Sequence, residues 1–242
     1  MRDIRNKSSR ATTRELAKTP GLFGELRQPE RSYLAIPKTS SESRNYVPIA
    51  FIRPEIIANT ELFTISEASI FDFGVLTSRM HMAWVRHVAG RLKSDIRYSA
   101  GIVYNNFPWP QDVSPEHRKR IEEIAARVIA ERIKAGDGRH GFLPGRDRAR
   151  ASTLTDIYDP LFTPRDLLQA HIELDRAVDR RYRREPFHSD RERVEHLFRL
   201  YEQLTAPLLP ATPKTRTRRS PTAASTPRER RSRTPGLPEA GA

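Results

Sequence analysis

Short runs of apolar and β-branched residues alternate with polar segments in the first part of the chain. The runs are Tyr33–Pro37, Tyr46–Ile52 and Glu61–Ser66, and the polar segment 38–45 separates the first two. Runs of this length, rich in Val, Ile, Tyr and Phe and bounded by polar residues, are typical of strands joined by turns. The pattern predicts three short strands.

After these runs the period of the apolar positions changes. The apolar residues now have the three-four spacing that marks the buried face of a helix. They are Phe73, Leu76, Met80, Trp84 and Val88. Gly90 is predicted to end this helix. Segments 96–99 and 101–105 then have the composition of two further strands, and Pro108 and Pro110 are expected to end the domain, since proline interrupts both helices and ladders.

The second half of the chain has the pattern of three amphipathic helices with recognisable starts. Ser114–Pro115 and Thr163–Pro164 each combine an N-cap residue with proline at the first helical position. Ser189–Glu192 has the spacing of a capping box. Three such helices with almost no net charge predict a small bundle.

These patterns together predict an α+β fold: a small mixed-strand recognition domain with a central helix, followed by a helical bundle domain and a disordered basic tail. The predicted parts are a flexible N-terminus (1–19), the recognition domain (20–112), the helical C-terminal domain (113–206) and the tail (207–242). The tail has few large apolar residues, so it cannot bury enough surface to order itself. A Gly- and Arg-rich loop at 136–152 is expected to be mobile.

Charge adds a functional hypothesis to this organisation. The chain has 43 Lys and Arg against 30 Asp and Glu, a formal net charge of +13, which favours a polyanionic partner. Residues 111–206 are nearly neutral, whereas five basic side chains accompany one acid, Asp95, between Arg79 and Tyr98. This basic patch predicts a nucleic-acid-facing surface, although an ordinary solvated cationic face explains the charge alone equally well.

The polar segment between the first two strands is a second candidate. Its donors and acceptors suit base edges, and they are Lys38, Ser40, Ser41, Arg44 and Asn45. A plain polar hairpin has the same composition and is the interpretation that the sequence alone favours.

Candidate catalytic groups are weak. Asp159–Phe162 resembles the [Asp/Asn]-Pro-Pro-aromatic tetrapeptide of amino-methyltransferases, but Leu161 replaces the second proline, and a turn before a helix is favoured. His171, Asp175 and Asp179 share one helical face at four-residue steps, for which surface pairing is favoured over a metal site. We therefore predict no catalytic residue and no metal ligand in this chain.

The absence of certain features from the sequence predicts the cellular compartment. There is no Cys, so disulfides and thiolate metal sites are excluded and a reducing cytoplasm is the default. No apolar signal segment starts the chain and no apolar run is long enough to span a membrane. We expect a cytoplasmic protein with no membrane partner.

Several long phrases resemble the C-terminal part of the MmeI-like DNA methyltransferases, which are large type II restriction–modification enzymes. The most specific are GVLTSRMHMAWVR, GRLKSDIRYS and YNNFPWP, and the similarity spans roughly residues 20–205 in the family's order. In that family this region comprises a target-recognition domain and a helical C-terminal domain. The adenine-N6 methyltransferase domain, with its S-adenosylmethionine site, lies upstream.

The resemblance implies that double-stranded DNA is the partner and that this chain holds no cofactor, S-adenosylmethionine being expected in the missing methyltransferase domain. The positions implied to bind DNA are Arg79, His81, Arg86, Arg91, Lys93, Ser94, Arg97 and Tyr98. Candidates for base recognition are Lys38, Ser40, Ser41 and Arg44. Because Met1 stands just before the recognition domain, the chain is expected to be a fragment or a split subunit, and a separately encoded methyltransferase subunit is a further candidate partner.

Two other functions stay open from the sequence. The chain could be a non-catalytic interaction protein or a truncated remnant whose basic tail binds nucleic acid without specificity. A weaker alternative is an autonomous enzyme that uses Asp159.

Overall fold

The computed structural model describes residues 1–22, 28–136 and 153–206. The predicted disordered tail, 207–242, lies outside the described residues, as does the predicted mobile loop from residue 137 to 152.

The described residues form six strands, eight α-helices and one π-helical turn. The strands are β1 (Tyr33–Pro37), β2 (Thr39–Ser40), β3 (Ala50–Ile52), β4 (Leu62–Ile65), β5 (Gly90–Leu92) and β6 (Asp95–Arg97). The helices are α1 (Arg2–Asn6), α2 (Ala11–Glu15), α3 (Ile70–Leu76), α4 (Arg79–Val88), α5 (Pro115–Gly136), α6 (Leu154–Ile157), α7 (Arg165–Tyr182) and α8 (Asp190–Thr205), and the π-helical turn is Ala100–Tyr104. The predicted α+β class is confirmed.

Two small antiparallel sheets form the β part. The first has the order β3-β1-β4, with Leu34 of β1 opposite Phe51 and Ile65. Its central strand carries the side chains of Leu34 and Ile36 into the core. The second sheet has the order β2-β6-β5, so the start of the predicted polar loop is a strand beside β6.

The predicted single helix is two helices. Its apolar face is buried as expected at Phe73, Leu76, Met80 and Trp84, but the helix breaks at Thr77–Ser78. The Thr77 hydroxyl donates to the Phe73 carbonyl, and the Ser78 hydroxyl donates to the Val75 carbonyl at 2.7 Å and caps α4. Hydroxyl side chains that bond the local backbone in this way compete with helix propagation.

The strand predicted at 101–105 is wrong, because residues 101–104 lie in the π-helical turn and Asn105 ends it. Trp84 Nε1 donates to the Val103 carbonyl at 3.0 Å, and the Asn106 amide donates to the carbonyls of Gly101 and Ile102. Side-chain donors therefore satisfy backbone acceptors that a strand would pair, and tertiary contacts override the β propensity of the segment.

The predicted helix starts are confirmed in part. Ser114 Oγ accepts from the His117 N–H at the start of α5. Thr163 does not cap α7, whose N-cap is Pro164, and its hydroxyl donates to the Asp159 carbonyl instead. Ser189 caps α8, but the Glu192 carboxylate binds Arg183 and the His188 N–H rather than returning to Ser189.

The C-terminal helices pack on each other and also on the helices of the recognition region. Helix α5 packs on α7 and on α3, whereas α8 packs mainly on α4. At Gly74 of α3, an added Cβ would lie 2.9 Å from Ile121 Cγ2 of α5, so the close approach of these helices requires glycine. One hydrophobic core therefore runs through both regions, and the boundary at residue 112 stays a prediction.

The N-terminal segment 1–19, predicted to be flexible, contains α1 and α2. Arg5 Nη1 donates to the Leu16 carbonyl at 2.8 Å and joins the two helices. None of the helices in the described ranges is long and apolar enough to cross a membrane.

Candidate nucleic-acid interface

The exposed part of the predicted basic patch is the β5–β6 hairpin. Gly90 pairs with Arg97, Arg91 with Ile96 and Leu92 with Asp95, so Lys93 and Ser94 form a two-residue turn. Lys93 has a φ of 57°, a left-handed conformation that two-residue hairpin turns require at one or both positions. We refer to residues 90–97 as the hairpin.

The cationic side chains of the hairpin face solvent. Arg91, Lys93, Ser94 and Arg97 are all exposed. Among the described residues the Arg91 side chain bonds only backbone carbonyls, those of Arg86 at 3.1 Å and of Ser94 at 3.4 Å. Arg97 lies 3.9 Å from the Glu61 carboxylate. The hairpin therefore presents a net positive charge at its tip and along β6.

The base of the hairpin is fixed by the core. Ile96 is fully buried, and the Tyr98 N–H donates to the Lys38 carbonyl at 2.7 Å. Strand β2 pairs with β6 on the side away from β5, with Thr39 opposite Arg97. A rigid base with an exposed tip is the arrangement of a β-ribbon that can enter a groove.

Burial corrects the prediction that His81 and Tyr98 contact DNA. Their residues are 0% and 2% exposed. His81 Nδ1 lies 2.7 Å from the Leu76 carbonyl and must carry the proton, so Nε2 accepts from the Tyr98 hydroxyl at 3.2 Å. Burial lowers the pKa of His81 to about 4 and raises the pKa of Tyr98, so this neutral pair joins α4 to the residue that follows β6.

The two arginines of α4 converge on one carboxylate of α8. Arg79 Nε donates to Asp190 Oδ1 at 2.7 Å, and Arg86 Nη1 lies 3.5 Å from Asp190 Oδ2. Arg193 also reaches Asp190, at 3.3 Å. The hydrogen bond to Asp190 raises the pKa of Arg79. These arginines therefore hold α4 and α8 together rather than facing outward without a partner.

Only part of the segment predicted to read bases is accessible. Ser40 is buried in β2, which removes it from any base edge, and Lys38 donates to the Thr60 carbonyl and lies 5.1 Å from the Phe63 ring centre. Ser41 and Arg44 are partly exposed. The Arg44 carbonyl accepts from Arg86 at 3.0 Å, which places this segment beside the start of the hairpin.

The helical triplet of α7 is internal. His171, Asp175 and Asp179 are all buried, so the favoured interpretation of surface pairing is wrong. Asp175 accepts from the Tyr46 hydroxyl and from the Arg79 N–H, both at 2.7 Å, and burial raises its pKa to about 7. In the described ranges no group of three or more His, Asp and Glu side chains could hold a metal ion.

Asp159 lies in a turn ahead of α7. Its carboxylate accepts from the Leu161 N–H at 2.9 Å, and its carbonyl accepts from the N–H groups of Phe162 and Thr163. The favoured interpretation, a turn before a helix, is confirmed.

Asp190, which binds both arginines of α4, was not a candidate from the sequence, and Asp175, which binds the first N–H of α4, was one only as a member of the helical triplet. Both lie on helices near the C-terminus, about a hundred residues from the groups they bind, so local patterns carry no signal for either pairing. The spacing of Asp175 and Asp179 was visible, but their buried partners were not.

Comparison with known proteins places this arrangement in a family. The model of the MmeI target recognition domain matches residues 1–111, and that of the MmeI C-terminal domain matches residues 113–209. DNA methyltransferase A of Bacillus subtilis (strain 168) is 38% identical over 201 residues, which are 83% of this chain and 21% of that protein.

A solved structure agrees with these matches. The type IIL restriction–modification enzyme MmeI in complex with DNA superposes with a TM-score of 0.70 and 38% identity, over 85% of this chain and 25% of that chain. The chain thus spans between a fifth and a quarter of the length of these relatives. Matched in order by both family models, the chain belongs to the MmeI family and carries its target recognition and C-terminal regions.

Proposed function

We propose that the chain is the DNA sequence-recognition module of an adenine-N6 DNA methyltransferase of the restriction–modification type, and that the hairpin contacts duplex DNA. The family assignment supports the class of function, and one related structure contains DNA. The observation that carries the proposal is the hairpin itself, because it is exposed, cationic and fixed at its base.

The hairpin has the chemistry of a groove reader. The major groove admits a two-stranded β-ribbon, and Arg or Lys there can bond guanine O6 and N7. Arg91 and Lys93 have no carboxylate partner among the described residues, so their donors remain available. Ser94 at the turn adds a hydroxyl that suits a phosphate or a base edge.

The remaining candidates for base reading lie next to the hairpin. Arg91 donates to the Arg86 carbonyl, and Arg86 donates to the Arg44 carbonyl. Ser41 and Arg44 follow β2, which pairs with β6. A duplex on the hairpin would therefore pass the 41–44 segment, which is the part of the predicted loop that keeps a role in sequence choice.

The catalytic step would come from outside the described residues. A methyltransferase domain, in the remainder of a longer protein or in a separate subunit, would bind S-adenosylmethionine and extrude the target adenine from the stack. The recognition module would hold the duplex so that this adenine is presented. Methyl transfer by the chain alone is not expected.

A selection experiment tests the proposal. The full 242-residue chain is incubated with a library of randomised duplexes, bound sequences are enriched, and the affinity for the enriched and the random duplexes is compared. We expect an enriched motif, and we expect Arg91→Ala with Lys93→Ala to weaken binding to it by roughly 5- to 150-fold.

The matched control is Lys7→Ala with Arg31→Ala, which removes the same charge from exposed positions outside the hairpin. An equal reduction in the control, or failure to bind any duplex at low salt, would contradict the proposal.

Deletion of 207–242 separates sequence recognition from charge alone. The segment has eight basic and two acidic residues, so overall affinity should fall at low salt. The ratio of affinities for enriched and random duplexes should be unchanged. Disappearance of that ratio with the tail would favour non-specific binding by the tail instead.

A further inference from the structure

The near-neutral C-terminal region contains a group of arginines without acidic partners. Six of the thirteen arginines that the structure describes in 111–206 pair with a carboxylate, for example Arg127 with Glu173 and Arg183 with Glu192. Four arginines in the C-terminal half of α7 and just after it have side chains with neither an ion pair nor a hydrogen bond within the described residues. They are Arg176, Arg180, Arg181 and Arg184.

These arginines border two adjoining clefts. One, of about 420 Å³, lies between α7 and the start of α8, and Arg176, Arg180 and Arg184 line it together with Arg79. The other, of about 280 Å³, lies between α5 and α7 and shares Arg176 and Arg180. Arg176 and Arg180 are one helical turn apart, about 6 Å along the axis, so they form a cationic ridge between the clefts.

Most of the carboxylates in these clefts are already neutralised. Asp179 accepts both nitrogens of the Arg193 fork, and Glu173 in the second cleft is paired with Arg127. Asp175 is held by Tyr46 and the Arg79 N–H, and burial raises its pKa. Among the described acidic residues of the first cleft only Glu185 lacks such a partner, so the ridge keeps an excess of positive charge.

The first cleft is connected to the hairpin through a series of hydrogen bonds. Arg79 lines the first cleft and bonds Asp190, Arg86 bonds the other oxygen of Asp190, and Arg91 donates to the Arg86 carbonyl. Two groups of cations without carboxylate partners among the described residues, Arg91 with Lys93 and the ridge, therefore lie on either side of the paired arginines of α4. Two such groups suit an extended polyanion better than a small anion.

We propose that Arg176, Arg180 and Arg184 form a second contact surface for DNA, one that binds the phosphate backbone and carries no sequence information. This inference rests on the proposed function, because the same duplex would occupy the hairpin and the ridge. Backbone contacts of this type fix the register and orientation of a protein on a duplex while base contacts specify the sequence. The helical C-terminal region thereby acts as a clamp that orients DNA on the hairpin.

The test compares two variants of the full chain. In the first, Arg176→Gln, Arg180→Gln and Arg184→Gln are combined, and affinity for enriched and random duplexes is measured over a range of salt. We expect affinity to fall equally for both duplexes. The slope of log K against log salt should become shallower by about 0.9 for each phosphate that the variant no longer neutralises. In the second, the hairpin pair Arg91→Ala and Lys93→Ala, we expect the preference for the enriched duplex to fall as well.

Controls keep the outcomes distinct. Lys7→Ala, Arg31→Ala and Arg165→Ala remove the same charge at exposed positions, and Arg184→Gln alone, beyond the end of α7, guards against a folding defect. Wild-type affinity and slope in the triple Gln variant would overturn the clamp while leaving the proposed function intact. A hairpin variant that binds like wild type would contradict the proposed function, whatever the ridge does.

Discussion

Two groups of cationic side chains lie close together in the sequence but have different surroundings in the structure. Arg79 and Arg86 of α4 share the Asp190 carboxylate of α8. Arg91, Lys93 and Arg97 of the hairpin face solvent, and the nearest carboxylate that pairs with any of them among the described residues is that of Glu61, at 3.9 Å from Arg97. In the sequence these cations form one basic patch. In the structure the α4 arginines join two helices, whereas the hairpin cations are available to a partner.

One basic stretch can therefore serve two purposes. A cation that already satisfies a carboxylate offers a polyanion less, since binding must compete with the existing pair. A cation at an exposed turn loses no ion pair when it binds a phosphate. We expect the α4 arginines to contribute mainly to stability and the hairpin cations mainly to DNA binding.

The largest expected effect on stability lies at Arg193 of α8, which reaches Asp190 as Arg79 and Arg86 do and is more enclosed than either. Its side chain is 7% exposed and pairs with Asp179. Because Arg193→Ala leaves a buried carboxylate uncompensated, it should lower the free energy of unfolding by about 3–5 kcal/mol, measured by urea denaturation. Arg191→Ala on the same helix, whose side chain is 87% exposed, should leave the midpoint unchanged, and an equal decrease in both variants would contradict a structural role for Arg193.

A pH-dependent effect is expected at Asp175, which binds the backbone at the start of α4. Burial raises its pKa to about 7, so the unfolded residue loses its proton near pH ~4 while the folded residue keeps it. The folded protein therefore loses stability from this group between about pH 4 and pH 7, by at most about 4 kcal/mol.

Asp175→Asn removes that titration, so its stability relative to wild type should rise across this window. His81 and His171, whose pKa values are lowered by burial, titrate in both proteins and largely cancel in the difference. Denaturation of both proteins at several pH values provides the measurement, and a constant difference would contradict the raised pKa of Asp175.

A smaller effect is expected from Asp190→Asn. Removal of the carboxylate should cost about 1 kcal/mol of stability, since Asp190 and the side chains of Arg79 and Arg86 are all partly exposed. It also releases Arg79 and Arg86 beside the hairpin, so affinity for duplex DNA should rise a few-fold. A fall in affinity, measured by fluorescence anisotropy at constant salt, would show that the pairing itself presents the DNA surface.

Local patterns predicted the parts of the fold that local forces decide. Strands β1 and β4, the buried positions from Phe73 to Trp84, and the Ser114 cap follow from period and capping chemistry alone. The break at Thr77–Ser78 depends on hydroxyl bonds that compete weakly with the helix. The π-helical turn depends on Trp84 and Asn106 reaching the backbone of 101–103.

Only part of the candidate interface could be predicted from the sequence. The sequence located the hairpin cations, and the family resemblance supplied DNA as the partner. The sequence-based prediction also placed His81, Tyr98 and Ser40 on the DNA-binding surface, whereas all three are buried. Composition does not reveal which side of an element faces the core. The Arg176–Arg184 spacing was present in the sequence, but overall neutrality of 111–206 concealed that these arginines have no acidic partners among the residues that the structure describes.

The measurement that tests the division most directly is the salt dependence of DNA binding in two double variants. Arg91→Ala with Lys93→Ala should make the slope of log K against log salt shallower by about 2, because each phosphate left without its cation removes about 0.9. Arg79→Ala with Arg86→Ala removes the same charge and should change the slope by well under ~1, while lowering stability. Equal changes in slope, or a larger change for the α4 pair, would contradict the claim that the hairpin is the DNA-facing group.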